Sequence, residues 1–244
     1  MIYFLSTVVL AMCLTLGEAR AAMTSAVTLA GVGGDNPDHN SDHNLDRCED
    51  DSGGLERQIA ACTWLLNSLE MNIDAYKAAH FRRGDAYSFQ GRFDQAIRDY
   101  GDAIQLRPKS PGVFLNRAYA FTYTAQYSRA VRDYETSIRL NPLADAAYND
   151  LAWLLATAPD AAIHDGARAV SLARRAIKLN NSAANIDTLA AAYARSGRYN
   201  EAAVTQEQAI VAHRANDGAG HILDSYQERL EMFRAGRPYH VELN

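Results

Sequence analysis

The sequence lacks any excess of positive charge. It contains 24 Lys and Arg residues against 29 Asp and Glu residues, which gives a formal net charge of -5 at pH 7. The basic residues are scattered along the chain and are not gathered into a stripe. Because binding to a nucleic-acid backbone depends on clustered positive charge, we expect no nucleic-acid partner.

Motifs for catalysis are also missing. No Ser, Cys or Lys lies in a nucleophile motif, and no pair of histidines has the spacing of a zinc site on a helix. After the first 50 or so residues the histidines are scattered, at His80, His164, His213, His221 and His240. We therefore predict a protein that is not an enzyme and needs no cofactor, in which His80 packs in the core.

No apolar run is long enough to span a membrane. The run from Ile2 to Leu16 is shorter than the roughly 18 residues that a spanning helix needs, and small residues follow it. This pattern predicts a secretory signal peptide over residues 1–22, cut after Ala21 or Ala22, and export to the periplasm or beyond the cell. Because no Lys or Arg precedes the run, a retained N-terminal membrane anchor is the alternative.

Cysteine is scarce as well. The chain has three, and removal of the signal peptide leaves Cys48 and Cys62. Since an exported protein meets an oxidising compartment, we predict a disulfide between them. It would close a short loop and stabilise the fold by about 3 kcal/mol in the chain-entropy model. Two separate thiols, with Cys62 buried as a small apolar residue, are the alternative.

Residues 23–54 contain little apolar periodicity. Gly, Asn, Asp, Ser and His dominate there, which predicts a flexible, solvated linker. Its carboxylates and imidazoles could bind a divalent cation weakly, although ordering a flexible segment costs entropy. These residues are Asp35, Asp38, His39, Asp42, His43 and Asp46.

The sequence does contain a repeat. The stretch from Lys77 to Ala144 aligns with itself after a shift of 34 residues. Aromatic residues then coincide with aromatic ones and small residues with small ones: His80, Gly84, Tyr87, Ala96, Tyr100, Ala103 and Pro108 fall on Phe114, Ala118, Phe121, Ala130, Tyr134, Ser137 and Pro142. Such a period is typical of a supersecondary unit that buries its apolar face by stacking on its neighbours.

Each unit is predicted to be a helical hairpin. Apolar and small residues recur at helical spacing over residues 75–89 and again over 94–106, and Gly91 separates the two runs. Gly84 and Ala96 are small because two helices that cross closely leave no room for a longer side chain. Prolines end one hairpin and start the next.

These small, aromatic and proline positions resemble the tetratricopeptide repeat, a helix-turn-helix unit. The resemblance implies an all-α solenoid of helical hairpins, a right-handed superhelix with a C-terminal capping helix. With the predicted signal peptide and cysteine pair, the chain is similar to exported tetratricopeptide proteins of Gram-negative bacteria. The predicted segments are a half repeat at 55–74, repeats at 77–110 and 111–144, a repeat with a longer turn at 145–182, a further repeat at 183–216 and a capping helix at 219–236.

In this family the first helices of successive hairpins line a concave groove, and ligand contacts come from fixed positions on them. Carried over to this sequence, the predicted peptide contacts are Phe81, Arg82, Phe89, Asn116, Tyr119, Tyr123, Asn149 and Trp153, with Asp85, Leu115, Thr122, Asp150, Asp187, Thr188 and Arg195 at the remaining positions. We expect the amides to bond the backbone of an extended peptide and the rings to supply contact area. Packing of these rings between helices is the alternative.

Two arginines occupy positions where the repeat usually has leucine. Arg83 and Arg117 are therefore predicted to form structural salt bridges with carboxylates such as Asp99 and Asp133 on the neighbouring helices.

The sequence thus predicts an exported module that binds an extended segment of another protein. Two alternatives stay open. One is a structural role through self-association, for example as a homodimer, with the groove filled by the chain's own linker. The other is a weak metal response through the linker.

Overall fold

The computed structural model describes residues 41–50, 53–68, 72–215 and 220–241. These residues form eleven α-helices, one short 3-10 helix and no β-strand, so the all-α prediction is confirmed. The helices are α1 (Ser41–Glu49), α2 (Leu55–Asn67), α3 (Ile73–Phe89), α4 (Phe93–Leu106), α5 (Pro111–Tyr123), α6 (Tyr127–Leu140), α7 (Asp145–Thr157), α8 (Gly166–Leu179), α9 (Ala183–Arg195), α10 (Tyr199–Ala215) and α11 (His221–Arg234). The predicted signal peptide and residues 23–40 lie outside the described residues.

The described residues divide into two compact units between Pro142 and Leu143. In the N-terminal unit, α1 pairs with α2, α3 with α4 and α5 with α6, and each pair packs on the next. In the C-terminal unit, α7 pairs with α8 and α9 with α10, and α11 packs on α10. Each unit is thus a stack of helical hairpins, the packing that the repeat predicts.

The close helix crossing predicted within a hairpin is found between α3 and α4. A Cβ atom added to Gly84 would lie 2.8 Å from Cε1 of Tyr100, whose side chain is only 1% exposed. Ala96 on α4 and Ala118 on α5 are also fully buried. Small residues therefore lie where the helices leave no room for longer side chains.

The hairpin turns share one backbone feature. Gly91 and Gly197 each have a φ of 73°, and Ala125, one period after Gly91, has a φ of 55°. This left-handed conformation suits glycine and is costly for alanine. The turn geometry is therefore kept even where the sequence departs from glycine.

The prediction of a flexible linker up to residue 54 is wrong for α1. This helix packs on α2, with Leu45 and Cys48 against the buried Ala61, Cys62 and Leu65. Two inward apolar positions in nine residues are too few to give a visible apolar period, since the third inward residue, Asn44, is polar. The half repeat predicted at 55–74 is therefore preceded by a first helix, α1, and forms a hairpin with it.

The cysteine pair lies in this same apolar cluster. The Sγ atoms of Cys48 and Cys62 are 2.02 Å apart and the Cα atoms are 4.8 Å apart. The side-chain amide of Gln58 donates a hydrogen bond to the carbonyl of Cys48 at 3.0 Å. The pair thus joins α1 to α2 at the beginning of the described fold.

The longer turn predicted in the third repeat contains a 3-10 helix, Ala161–Ile163. Asp160 caps it by accepting a hydrogen bond from the amide of Ala162 at 2.9 Å, and Asp165 caps α8 in the same way from the amide of Arg168 at 2.9 Å. The last helix of the described residues is the predicted capping helix, α11, whose Tyr226, Leu230 and Phe233 are buried.

Candidate functional site

Six of the predicted contact residues lie on two first helices of the N-terminal unit. We call them the N-terminal groove surface: Phe81, Arg82 and Phe89 on α3, and Asn116, Tyr119 and Tyr123 on α5. Phe89 is 36% exposed and the other five are half-buried. The surface therefore offers aromatic area that is only partly covered by the unit itself.

Asp85 links the two helices of this surface. Its Oδ1 accepts hydrogen bonds from the Tyr100 hydroxyl at 2.8 Å and from Nδ2 of Asn116 at 2.7 Å. Asn116 was expected to offer its amide to a ligand, and the structure shows that amide nitrogen donating to Asp85. The bond holds the Asn116 side chain in one orientation.

Three aromatic rings, two of them in the N-terminal groove surface, form a platform. Phe93 stacks on Tyr123 with ring centroids 4.7 Å apart, Tyr119 lies 4.7 Å from Tyr123, and Phe93 lies 6.2 Å from Tyr119. Phe93 begins α4 and was missed by the sequence reasoning, which considered first helices alone. Tyr127 stands one period later, so the repeat itself contained the signal.

Phe81 faces partly inward. Its ring lies 6.2 Å from that of Tyr100, and the Arg82 guanidinium lies 5.9 Å from the Phe81 ring centroid. Phe81 therefore contributes to helix packing as well as to the surface, which combines the two predicted roles.

The predicted structural salt bridges are confirmed. Arg83 donates to the two oxygens of Asp99 at 2.8 and 2.7 Å, and Arg117 donates to those of Asp133 at 2.7 and 3.1 Å. Burial opposes ionisation of Asp99, but hydrogen bonds from Arg83 and His80 outweigh it and lower the pKa of that carboxyl.

His80 is buried, as predicted, with Nδ1 2.9 Å from Oδ1 of Asp99 and 3.7 Å from Oδ2 of Asp102. An imidazole and two carboxylates at this spacing match the donor types of a cation site. However, the Arg83 guanidinium already occupies both oxygens of Asp99. A bound cation would face that positive charge, so the cluster serves packing.

In the C-terminal unit, Asn149 and Asp150 lie on α7. Oδ1 of Asn149 is buried without a hydrogen-bond partner, and its Nδ2 lies 3.4 Å from Oδ1 of Asp150. Desolvation raises the pKa of Asp150 to about 7, against the hydrogen bond from Asn149 and with a smaller contribution from the charge of Asp145. Asn149 and Asn116 lie in different units.

Trp153 was expected to stand open to a ligand, and the structure shows it in contact with the end of the chain. The rings of Trp153 and Tyr239 have centroids 5.8 Å apart. The buried guanidinium of Arg229 lies 5.5 Å from the Trp153 ring, 5.1 Å from that of Tyr226 and 5.3 Å from that of Tyr239. Three aromatic rings therefore surround one arginine.

The backbone after α11 bonds to this unit as well. The amide of Val241 donates to the carbonyl of Thr157 at 2.9 Å. Nη2 of Arg195 donates to the carbonyl of Tyr239 at 3.3 Å and lies 3.2 Å from Nδ1 of His240. We call Trp153, Thr157 and Arg195 the C-terminal groove surface, and residues 238–241 the C-terminal segment that lies on it.

Asp187 was also placed among the ligand contacts, and its role in the structure is different. Both of its oxygens accept from Arg229, at 2.8 and 2.9 Å, and Gln206 donates to Oδ1 at 2.7 Å. Burial lowers the pKa of Arg229, but the Asp187 carboxylate outweighs it and raises that pKa overall. Asp187 therefore anchors the capping helix.

Among the residues that the structure describes, no helix combines the length and apolar composition needed to cross a membrane.

Comparisons with known proteins agree with this architecture. A family model described as a TPR repeat matches residues 84–123. A tetratricopeptide repeat protein from Parabacteroides merdae superimposes with a TM-score of 0.66 at 18% identity, over 80% of this chain and 74% of that one. MamA from Desulfovibrio magneticus, from its residue 41 to the end, gives 0.62 at 16% identity, over 76% and 99%.

A thermophilic tetratricopeptide repeat protein of Thermus thermophilus gives a TM-score of 0.57 at 13% identity, over 80% of this chain and all of that one. At such identities the likeness establishes the fold. The comparison with curated protein sequences gives no match.

Proposed function

Because the chain has the fold of tetratricopeptide repeat proteins and a TPR repeat model matches residues 84–123, we propose that it is a non-enzymatic interaction module that binds an extended segment of another protein on its first helices. The observation that supports this most directly is the C-terminal segment. It lies on first helices through a ring contact with Trp153 and a backbone hydrogen bond to Thr157. A peptide from a partner would use the same kinds of contact on the N-terminal groove surface.

The N-terminal groove surface has the chemistry for such a ligand. Phe89 and the platform of Phe93, Tyr119 and Tyr123 supply contact area while losing few rotatable bonds on binding. The Asn116 side chain is already oriented by Asp85, so little ordering entropy is lost when it meets a peptide backbone.

We further propose that the mature chain works outside the cytoplasm. The predicted signal peptide supports export, and so does the position of Cys48 and Cys62 in one buried cluster, since an oxidising compartment allows such a pair to form a disulfide. In the alternative form of this proposal, the N-terminal segment is not cleaved and anchors the protein to the membrane.

The proposal is tested by replacing Phe89 with a photo-crosslinking amino acid and exposing the purified chain to an extract of the source organism. Mass spectrometry then identifies the crosslinked segment. We expect the double variant Tyr119→Ala with Tyr123→Ala to reduce crosslinking at least tenfold while its circular dichroism and melting curve stay cooperative. Val204→Ala with Val211→Ala, which changes two exposed residues on α10, is the matched control and should crosslink normally.

Equal crosslinking by the tyrosine variant and the wild type would refute binding at the N-terminal groove surface. A crosslink only to a second copy of the chain, together with a dimer in size-exclusion chromatography, would support the structural alternative.

A further inference from the structure

We infer that the C-terminal groove surface recognises extended segments with an aromatic residue followed, two positions later, by an apolar one, and that the chain's own C-terminal segment is its resident, displaceable occupant. This inference rests on the proposed function and adds to it both a ligand pattern and a means of regulation.

The pattern follows from which side chains of the segment touch the surface. Tyr239 and Val241 are half-buried, while His240 between them is exposed. This alternation is that of an extended strand, in which successive side chains point to opposite sides. The first and third side chains are therefore turned towards the unit, while the exposed second side chain, His240, meets the edge of the surface with its Nδ1 3.2 Å from Nη2 of Arg195.

The backbone contacts are independent of the segment's sequence. The carbonyl of Thr157 belongs to the last turn of α7, where helix carbonyls lack a partner within the helix, and the amide of Val241 satisfies it. Nη2 of Arg195 donates to the carbonyl of Tyr239, and its Nε donates to the carbonyl of Ala156 at 2.5 Å. Any extended peptide could offer the same amide and carbonyl.

The segment can leave without unwinding the capping helix. Gly236 has a φ of 67°, and the amides of Gly236 and Arg237 close the end of α11 on the carbonyls of Phe233 and Met232 at 3.0 and 2.9 Å. The two bonds from Arg229 to Asp187 involve no residue of the segment. The contacts that hold the segment therefore begin after the contacts that end the helix.

The test compares the full mature chain with a chain that stops at Arg237, which keeps the helix end. The probe is a fluorescein-labelled synthetic peptide of residues 236–244, and its binding is followed by fluorescence polarisation. We expect the shortened chain to bind the probe at least tenfold more tightly than the full chain. The full chain with Tyr239→Ala should fall between them.

Two substitutions in the probe test the ligand pattern. Replacing its tyrosine by alanine should weaken binding to the shortened chain at least tenfold, whereas replacing its histidine by alanine, which removes one contact with Arg195, should weaken binding less, by no more than about fivefold. In the shortened chain, Arg195→Ala should also weaken binding, and circular dichroism shows whether each variant is folded.

Equal binding of the probe by both chains would overturn displacement of the resident segment, while binding of extended peptides would still hold. Absence of binding to a folded shortened chain would overturn the inference as a whole. The proposed function would then still be decided by the crosslinking at Phe89, which involves the other unit. A full-chain dimer that disappears on shortening would place the segment on a second copy and would also overturn the inference.

Discussion

At the scale of single residues, Gly84 lies where helix packing leaves the least space. An alanine there would bring its Cβ to 2.8 Å from the Tyr100 ring, and that ring is held by burial and by its hydrogen bond to Asp85. We expect Gly84→Ala to destabilise the fold by about 1–3 kcal/mol, measured by chemical denaturation.

Gly112→Ala is the matched control, since Gly112 also lies in a helix and its added Cβ would meet nothing within 4 Å. This variant should be unchanged or more stable by up to about 1 kcal/mol, because alanine favours helix. If Gly84→Ala were equally well tolerated, α3 and α4 would not be closely packed.

Asp150 should make stability depend on pH. Because desolvation raises its pKa to about 7, above the value in an unfolded chain, the folded state loses stability as the pH rises from about 4 towards 7. Asp150→Asn removes that ionisation. We expect the unfolding free energy of this variant, relative to that of the wild type, to be higher at pH 8 than at pH 5 by on the order of 2 kcal/mol.

The exposed Asp224→Asn on α11 serves as the control and should keep the wild-type pH profile. A pH profile of Asp150→Asn that runs parallel to the wild type would show that Asp150 is ionised in the folded chain at neutral pH.

Residue roles could be predicted where both partners lie within one repeat. Arg83 and Asp99 are 16 positions apart in one hairpin, and the repeat pattern fixes which faces of its helices meet. Asp187 is paired with Arg229, 42 positions away on the capping helix. The rotation of that last helix is not given by the period, so Asp187 was assigned to the ligand instead.

At the scale of helices, the cysteine pair ties α1 to the array. Reduction, or the double variant Cys48→Ser with Cys62→Ser, should lower the stability of the mature chain by about 3 kcal/mol in the chain-entropy model. Thermal unfolding with and without dithiothreitol measures the change. The reductant should have no effect on the double variant, and equal melting of the oxidised and reduced wild type would refute the disulfide.

The capping helix depends on its buried ion pair. Arg229→Met leaves the Asp187 carboxylate buried without its cation, which typically costs about 3–5 kcal/mol. Arg234→Met, which removes exposed ion pairs from the same helix, should leave the denaturation midpoint almost unchanged. Similar midpoints for the two variants would contradict this role for Arg229.

The helices that could be predicted are those in which apolar residues recur clearly at helical spacing. Residues 94–106 were predicted as a helix, and α4 covers Phe93–Leu106. In contrast, α1 is short and polar, and its stability comes from packing on α2. The C-terminal segment is irregular, so only tertiary contacts place it.

At the scale of the whole molecule, export has a direct chemical signature. If the signal peptide is cut as predicted, the intact mass of the purified protein will correspond to a chain that begins at residue 22 or 23, with its two remaining cysteines oxidised. A variant with Leu5→Arg and Leu10→Arg interrupts the apolar run and should keep Met1. An uncut wild-type chain recovered with membranes would favour the anchor, and an uncut chain away from membranes would refute export.

The position of the C-terminal segment also decides where a reporter should be attached. A fluorescent protein or purification tag fused after Asn244 would pull on residues that lie against Trp153 and Thr157. An N-terminal tag would be lost with a cleaved leader. The exposed turn at Arg107, Pro108 and Lys109, between α4 and α5, avoids both problems and is the better insertion point for imaging or capture.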